Sequence, residues 1–200
     1  MSIRNYVPRR RERRGPSLIE QVALWLSLAI AIGFQISYPL LDGEPLRLIT
    51  IGTVYAAAIA TLVNAFLGHG PIYAIRYFII TFLFGLAIEH LGVTTGWPFG
   101  SYSYDPSLGA FLFNIPLVVP FAWMMLTHPL LIAARSLSSR WTIVIGGFGL
   151  MAWDLFLDPQ MVSAGRWHWN DAIPHVPFQP EIPLSNTFGW LLAGIVLMSL

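Results

Sequence analysis

Two aspartates four residues apart, Asp154 and Asp158, close an apolar run in the segment WDLFLDPQMVSAGRWHW, residues 153–169. That spacing puts both carboxyls on one face of a helix. A carboxyl held against tryptophans and lipid is expected to resist ionisation, and so to be able to give up a proton near pH 7. A third acid, Glu89, precedes His90 near the end of another apolar run. Buried carboxylic acids beside aromatic faces suit protonation of an apolar alkene. A terminal isoprenoid double bond protonated at its less substituted carbon gives a tertiary carbocation, which ring faces stabilise. Capture by water gives a tertiary alcohol, and proton loss gives an isomer or a ring. The residues alone leave these outcomes open.

The elements that must position these acids are membrane helices. Of 200 residues, 56% are hydrophobic and only 10% charged, with a mean hydropathy of +0.63. Soluble domains carry about 25% charged residues. The pattern predicts an all-α, polytopic transmembrane bundle of about six helices. Residues 1–19 read as a basic tail and 20–200 as one transmembrane domain. The predicted spans are 20–41, 46–67, 71–93, 111–134 and 141–158, each near the ~20 residues a bilayer requires. A sixth run begins at 189 and stops mid-pattern at Leu200, as in a helix cut short or a half-helix.

All 11 basic residues are arginine, and six of them (Arg4, Arg9, Arg10, Arg11, Arg13 and Arg14) precede the first span. Such a cluster reads as a cytoplasmic anchor rather than a nucleic-acid site. The apolar run from Val22 to Leu41 is too long for a signal-peptide core and no cleavage site follows it, so it is expected to be retained. Arg135 and Arg140 fall on the same side as the cluster. An N-terminus on the cytoplasmic side of the cell (cytoplasmic) membrane then places the long loops 94–110 and 159–188 together on the outer face. Helices 3 and 5 run in the same direction, so Glu89, Asp154 and Asp158 share a depth. Each acid could instead merely mark where its helix leaves the bilayer, but acids in spans are costly and usually functional.

Both loops alternate aromatic and polar residues. Tyr102 and Tyr104 flank a serine, and Trp167 and Trp169 flank His168. Period-two aromatics bounded by Gly and Pro predict short extended segments. They would form an interfacial belt or roof a cavity. The helix carrying the aspartates is expected to break at Pro159 before the second loop. Pro116, Pro120 and Pro129 are expected to kink span four. Asn64 reads as helix-packing glue, Asn186 as an N-cap just before the sixth helix, and Gly146, Gly147 and Gly149 as sites of close helix packing.

Several chemistries are excluded or weak. There is no cysteine, no dinucleotide or phosphate-loop motif and no GxSxG elbow. The five histidines, His69, His90, His128, His168 and His175, lack metal-ligand spacing, and His128 reads as a packing residue. The Asp154/Asp158 pair could carry a divalent cation with a diphosphate, as aspartate-rich prenyltransferase motifs do. Only one pair is present, with Arg166 the one clear phosphate clamp, and no metal is assigned. No inverted repeat supports a transporter.

Four segments in order, EHLGVTTGWPFGSYSYD (89–105), VPFAWMM (119–125), WDLFLDPQMVSAGRWHW (153–169) and IPLSNTFGW (182–190), resemble the carotenoid hydratase family, which includes carotenoid 1,2-hydratases and bisanhydrobacterioruberin hydratases. The likeness runs from about residue 70 to the end. It implies addition of water across the terminal C1=C2 bond of an acyclic carotenoid end group, lycopene-like or longer, with no cofactor. It also implies contact with membrane lipid, and with other carotenoid-biosynthesis enzymes as plausible partners. Carried onto this chain, the motif positions are Glu89, Gly96, Phe99, Gly100, Tyr102, Tyr104, Trp153, Asp154, Asp158, Pro159, Gly165, Trp167, Trp169, Pro183, Asn186, Gly189 and Trp190. The expected roles are Asp154 as proton donor, Asp158 as its tuning neighbour, and Glu89 as alternative donor or as the base that orients water. Tyr102, Tyr104, Trp153, Trp167, Trp169 and Trp190 would bind substrate, and Asn186 would hold water. An end-group cyclase or isomerase shares the protonation step. A non-catalytic lipid- or carotenoid-binding protein is the alternative outside enzymes.

Overall fold

The computed structural model describes residues 17–200, so the N-terminal arginine cluster lies outside the described residues. Six helices follow one another: α1 (Leu18–Ser37), α2 (Gly43–His69), α3 (Pro71–Thr95), α4 (Val118–Leu137), α5 (Thr142–Ser163) and α6 (Leu184–Ser199). The first five are long and apolar enough to cross a membrane, and α6 is shorter. The protein is an integral membrane helix bundle.

Sequence sets the helix ends. Ser17 and Glu20 form a capping box that starts α1, satisfying amides that would otherwise lack partners. Pro71 opens α3, where a missing N–H costs nothing. α4 is the most deeply buried of the five long helices and packs against α2, α3 and α5. α5 and α6 form the most extensive contact, and α1 packs on α2. The α5–α6 approach needs glycine: a Cβ on Gly147 would stand 2.7 Å from Ile195 Cγ1.

Two prolines, Pro116 and Pro159, act differently from the sequence expectation. Pro116 lies outside α4, because residues 111–117 are not helical. Instead β2 (Phe111–Leu112) and β3 (Ile115–Pro116) form a hairpin. Its two turn residues, Phe113 and Asn114, have φ of 52° and 65°, the left-handed pair that tight hairpins use. Pro129 is inside α4 and removes the amide that would bond the Met125 carbonyl. Thr61 of α2 donates its hydroxyl to that carbonyl at 3.2 Å, the kind of repair that lets proline persist in a membrane helix. α5 does not break at Pro159 but continues to Ser163. Proline deletes one donor, and buried Asp158 and Met161 on either side hold the last turn in place.

The two long loops meet. β1 (Tyr102–Tyr104) pairs antiparallel with β4 (Trp167–Trp169), in the register Tyr102↔Trp169, Ser103↔His168 and Tyr104↔Trp167. The predicted extended segments are therefore one two-stranded ribbon across the loop end of the bundle. A third hairpin, β5 (His175–Val176) with β6 (Gln179–Pro183), leads into α6. That helix begins at Leu184 rather than 189, so Asn186 lies inside its first turn and is not an N-cap. Pro183 stands at the N-cap with extended backbone and no side-chain cap bond.

Candidate active site

Strand alternation aims the ribbon. Ser103 and His168 form one cross-strand pair and hydrogen-bond each other (Oγ to Nε2, 3.0 Å) on the exposed face. Tyr102, Tyr104, Trp167 and Trp169 take the opposite face, above a cavity of about 90 Å³. The cavity wall includes Glu89 from α3, Trp123 and Ala122 from α4, Leu157, Asp158 and Met161 from α5, and Asn186 and Trp190 from α6. Thr50, Ile51 and Val54 of α2 complete one side, and Leu108 contributes from above. The wall is almost wholly apolar apart from the carboxyls, Asn186 and the tyrosine hydroxyls. Ordered water needs ~10–15 Å³ of such volume, so the space admits a handful of carbon- or water-sized groups.

Glu89 is 3% exposed and receives three hydrogen bonds. Tyr102 and Tyr104 donate their hydroxyls to Oε2 at 2.6 and 2.7 Å. Trp123 donates its indole N–H to Oε1 at 2.8 Å. Three donors and no acceptor is the pattern an ionised carboxylate takes. Burial, and then the Glu89 charge, push both loop phenols well above the usual tyrosine range. They therefore keep their protons and stay donors.

The aspartates form a separate unit. The Asn186 amide donates to Asp154 Oδ2 at 2.8 Å and to Asp158 Oδ2 at 2.5 Å. Asp158 Oδ1 also accepts the Trp167 indole N–H at 3.2 Å. Asp154 Oδ1 is buried without a hydrogen-bond partner. One Asn186 amide group thus donates to both carboxyls, which also lie within hydrogen-bonding reach of each other. Among the described residues, no group of three or more His, Cys, Asp or Glu side chains could hold a metal ion.

Aromatic packing sets the shape. Trp123 and Trp190 stack at 4.0 Å with planes 8° apart. Tyr102 and Trp169 lie 6.0 Å apart, and Tyr104 and Trp167 5.8 Å. Trp169 also donates to the Phe99 carbonyl at 3.0 Å. The ribbon reaches Glu89 because of Gly92, where a Cβ would stand 2.6 Å from the Tyr102 hydroxyl and 2.8 Å from Phe99. Two arginines tie the roof down. Arg47 of α2 donates to the Ser107 carbonyl at 2.6 Å and pairs with Glu44, and Arg166 donates to the Ser107 hydroxyl at 3.0 Å. Arg166 thus serves the loop.

Of the residues singled out from the sequence, Glu89, Asp158, Tyr102, Tyr104, Trp167, Trp169, Asn186 and Trp190 line one cavity. Asp154 does not: it stands one turn behind Asp158, in contact with Asn186 and off the wall. Trp153 is 42% exposed and also outside the cavity. Sequence reasoning did not pick out Trp123, Gly92 and Leu108. For Trp123 a signal existed, an indole inside the VPFAWMM turn of a span, where its N–H requires a partner.

Fold and site define a membrane-embedded helical protein with an acid-lined, aromatic-walled cavity. Residues 46–200 match the profile of the carotenoid biosynthesis protein family, and the chain belongs to that family. It is 34% identical over 124 residues to a bisanhydrobacterioruberin hydratase of Haloarcula japonica, covering 57% of this chain and 40% of that protein. The chain thus spans less than half the length of this curated relative. No solved structure matches.

Proposed function

We propose that the protein is a carotenoid hydratase, a hydro-lyase that adds water to the terminal C1=C2 bond of an acyclic carotenoid end group without a cofactor. One observation carries the reading. Two chemically distinct acid units, Glu89 with three donors and the Asp154–Asp158–Asn186 unit, face one small apolar cavity between aromatic rings. Hydration of an alkene needs an acid, a base and a water-poor site that tolerates a cation.

Asp158 is the proton donor in this reading, since it is the aspartate on the wall, and Asp154 is a positioning residue behind it. Asp158 protonates the less substituted alkene carbon, and the positive charge develops on the carbon bearing two methyl groups. Trp167, Tyr104 and Trp169 present ring faces to that charge. Water adds to the cation, and Glu89 takes the proton water releases. Returning that proton to the aspartate pair restores the starting state, so the sum is alkene plus water giving tertiary alcohol. The relative's name supports this chemistry. Placing the N-terminus in the cytoplasm rests on the arginine bias and puts the roof on the outer face.

The test is expression in cells that accumulate lycopene, with pigments analysed by mass. The reading predicts a product heavier by one water, absent with Asp158→Asn. Cyclised pigment of unchanged mass would replace it with the cyclase reading. Bound, unaltered pigment would replace it with a binding protein.

A further inference from the structure

The cavity is too small for the substrate proposed above. A linear carotenoid is about as long as the bilayer core, ~30 Å, whereas the cavity admits one branched end of it. The rest of the chain must leave by some side. Above, the β1–β4 ribbon and Leu108 close the space, and toward α3 and α6 the Trp123–Trp190 stack closes it. One side differs: among the described residues, α2 and α5 form no packed interface, although α4 packs against both, and no other helix packs against the two as α6 does against α3 and α5.

α4 is the floor of that gap. Three of its cavity residues, Val118, Ala122 and Met125, lie on one helical stripe that continues to Pro129, Ile132 and Ala133. The first three are buried or half-buried, and the last three are exposed. The stripe that is covered at the loop end is thus open toward the other end, across ~16 Å from Ala122 to Ala133. On α5, Trp153, Leu157 and Met161 are spaced i, i+4, i+8 and share a face. Leu157 and Met161 line the cavity, and Trp153 stands one turn beyond them, 42% exposed.

From this continuity we infer that a lateral groove between α2 and α5, floored by α4, holds the polyene rod of the substrate while its end group sits among the acids. Trp153 stands at the mouth and packs along the conjugated chain, so it determines specificity without touching the reacting atoms. This rests on the hydratase reading for the end group. The groove itself requires only a linear apolar chain entering from the bilayer.

The test compares two alkenes with the same terminus, a polyene of eight isoprene units and a two-unit acyclic isoprenoid, in wild type, Trp153→Ala and Ala133→Trp. Ala133 is exposed, so that variant fills the groove without disturbing the core. In each variant the long-chain rate should fall about tenfold or more relative to the short-chain rate, as expected for lost or blocked aromatic contact. Polyene co-purifying with the detergent-extracted protein, read by absorbance, should fall as well. Variants that keep the wild-type rate ratio and pigment load would overturn the groove. Wild-type protein that holds polyene without hydrating either alkene, with pigment lost in both variants, would overturn the hydratase reading and support the groove. Wild-type protein that neither holds nor hydrates polyene would overturn both.

Discussion

Replacing Tyr102 or Tyr104 by phenylalanine deletes one hydroxyl and leaves ring volume unchanged, so it reads out the charge on Glu89. Each hydroxyl donates to Glu89 Oε2, at 2.6 and 2.7 Å, in a buried setting. A hydrogen bond to an ionised group contributes about 1.5–3 kcal/mol, and a neutral one about 0.5–1.5. Side-chain hydrogen bonds in membrane proteins average nearer ~0.6 kcal/mol. If Glu89 is the anionic base, each Tyr→Phe change should destabilise the protein by about 2 kcal/mol in the native background. In a Glu89→Gln background the same change should cost about 0.6 kcal/mol. The coupling, about 1.4 kcal/mol, is measurable by denaturant unfolding in detergent, with all four corners of the cycle under one condition. Turnover of the acyclic carotenoid should fall roughly 10-fold or more in the single variants, because the base loses orientation. A coupling indistinguishable from zero for both tyrosines would refute an anionic Glu89, and with it the assignment of acid and base.

Other outcomes follow from the same geometry. Asp158→Asn should abolish hydration by about 10²-fold or more, whereas Asp154→Asn should retain more activity, and product mass analysis of both variants ranks them. Asn186→Ala removes the one donor shared by both aspartates and should lower stability by about 1–3 kcal/mol, seen as a lower unfolding midpoint. Gly92→Ala should displace Tyr102 from Glu89 and reduce turnover while the membrane-inserted fold survives, as circular dichroism would report. The phenols of Tyr102 and Tyr104 are raised by burial, so they stay protonated and donating through pH 10, and any stability they lose is lost only above it. The tyrosinate absorbance that grows in around pH 10 should therefore be the same in the Tyr102→Phe/Tyr104→Phe double variant.

Hydropathy marked the first three helices to within about four residues and found the other three with one end displaced by five to seven, because membrane spans are set by length and polarity rather than by subtle packing. The hairpin at 111–116 was hidden for the opposite reason: all its residues but Asn114 are apolar, and the left-handed pair Phe113–Asn114 turns the chain there. Pro159 misled through a local rule that tertiary packing overrides. The cavity lining was legible as residue types, two of the three acids and the alternating aromatics, but not as pairs. No local pattern says that Tyr102 and Tyr104 reach Glu89 while Trp167 reaches Asp158, since the whole of α4 and α5 lies between β1 and β4. On the proposed hydratase reading, that pairing assigns the roles of acid and base. Had both strands served one carboxyl, a single acid would have had to protonate the alkene and then accept the proton of water. The ribbon instead sends two phenols to Glu89 and one indole to Asp158, so two carboxyls on one cavity differ in how many donors they receive. A difference in donors is a difference in readiness to hold a proton, which is what separates an acid from a base at the same pH.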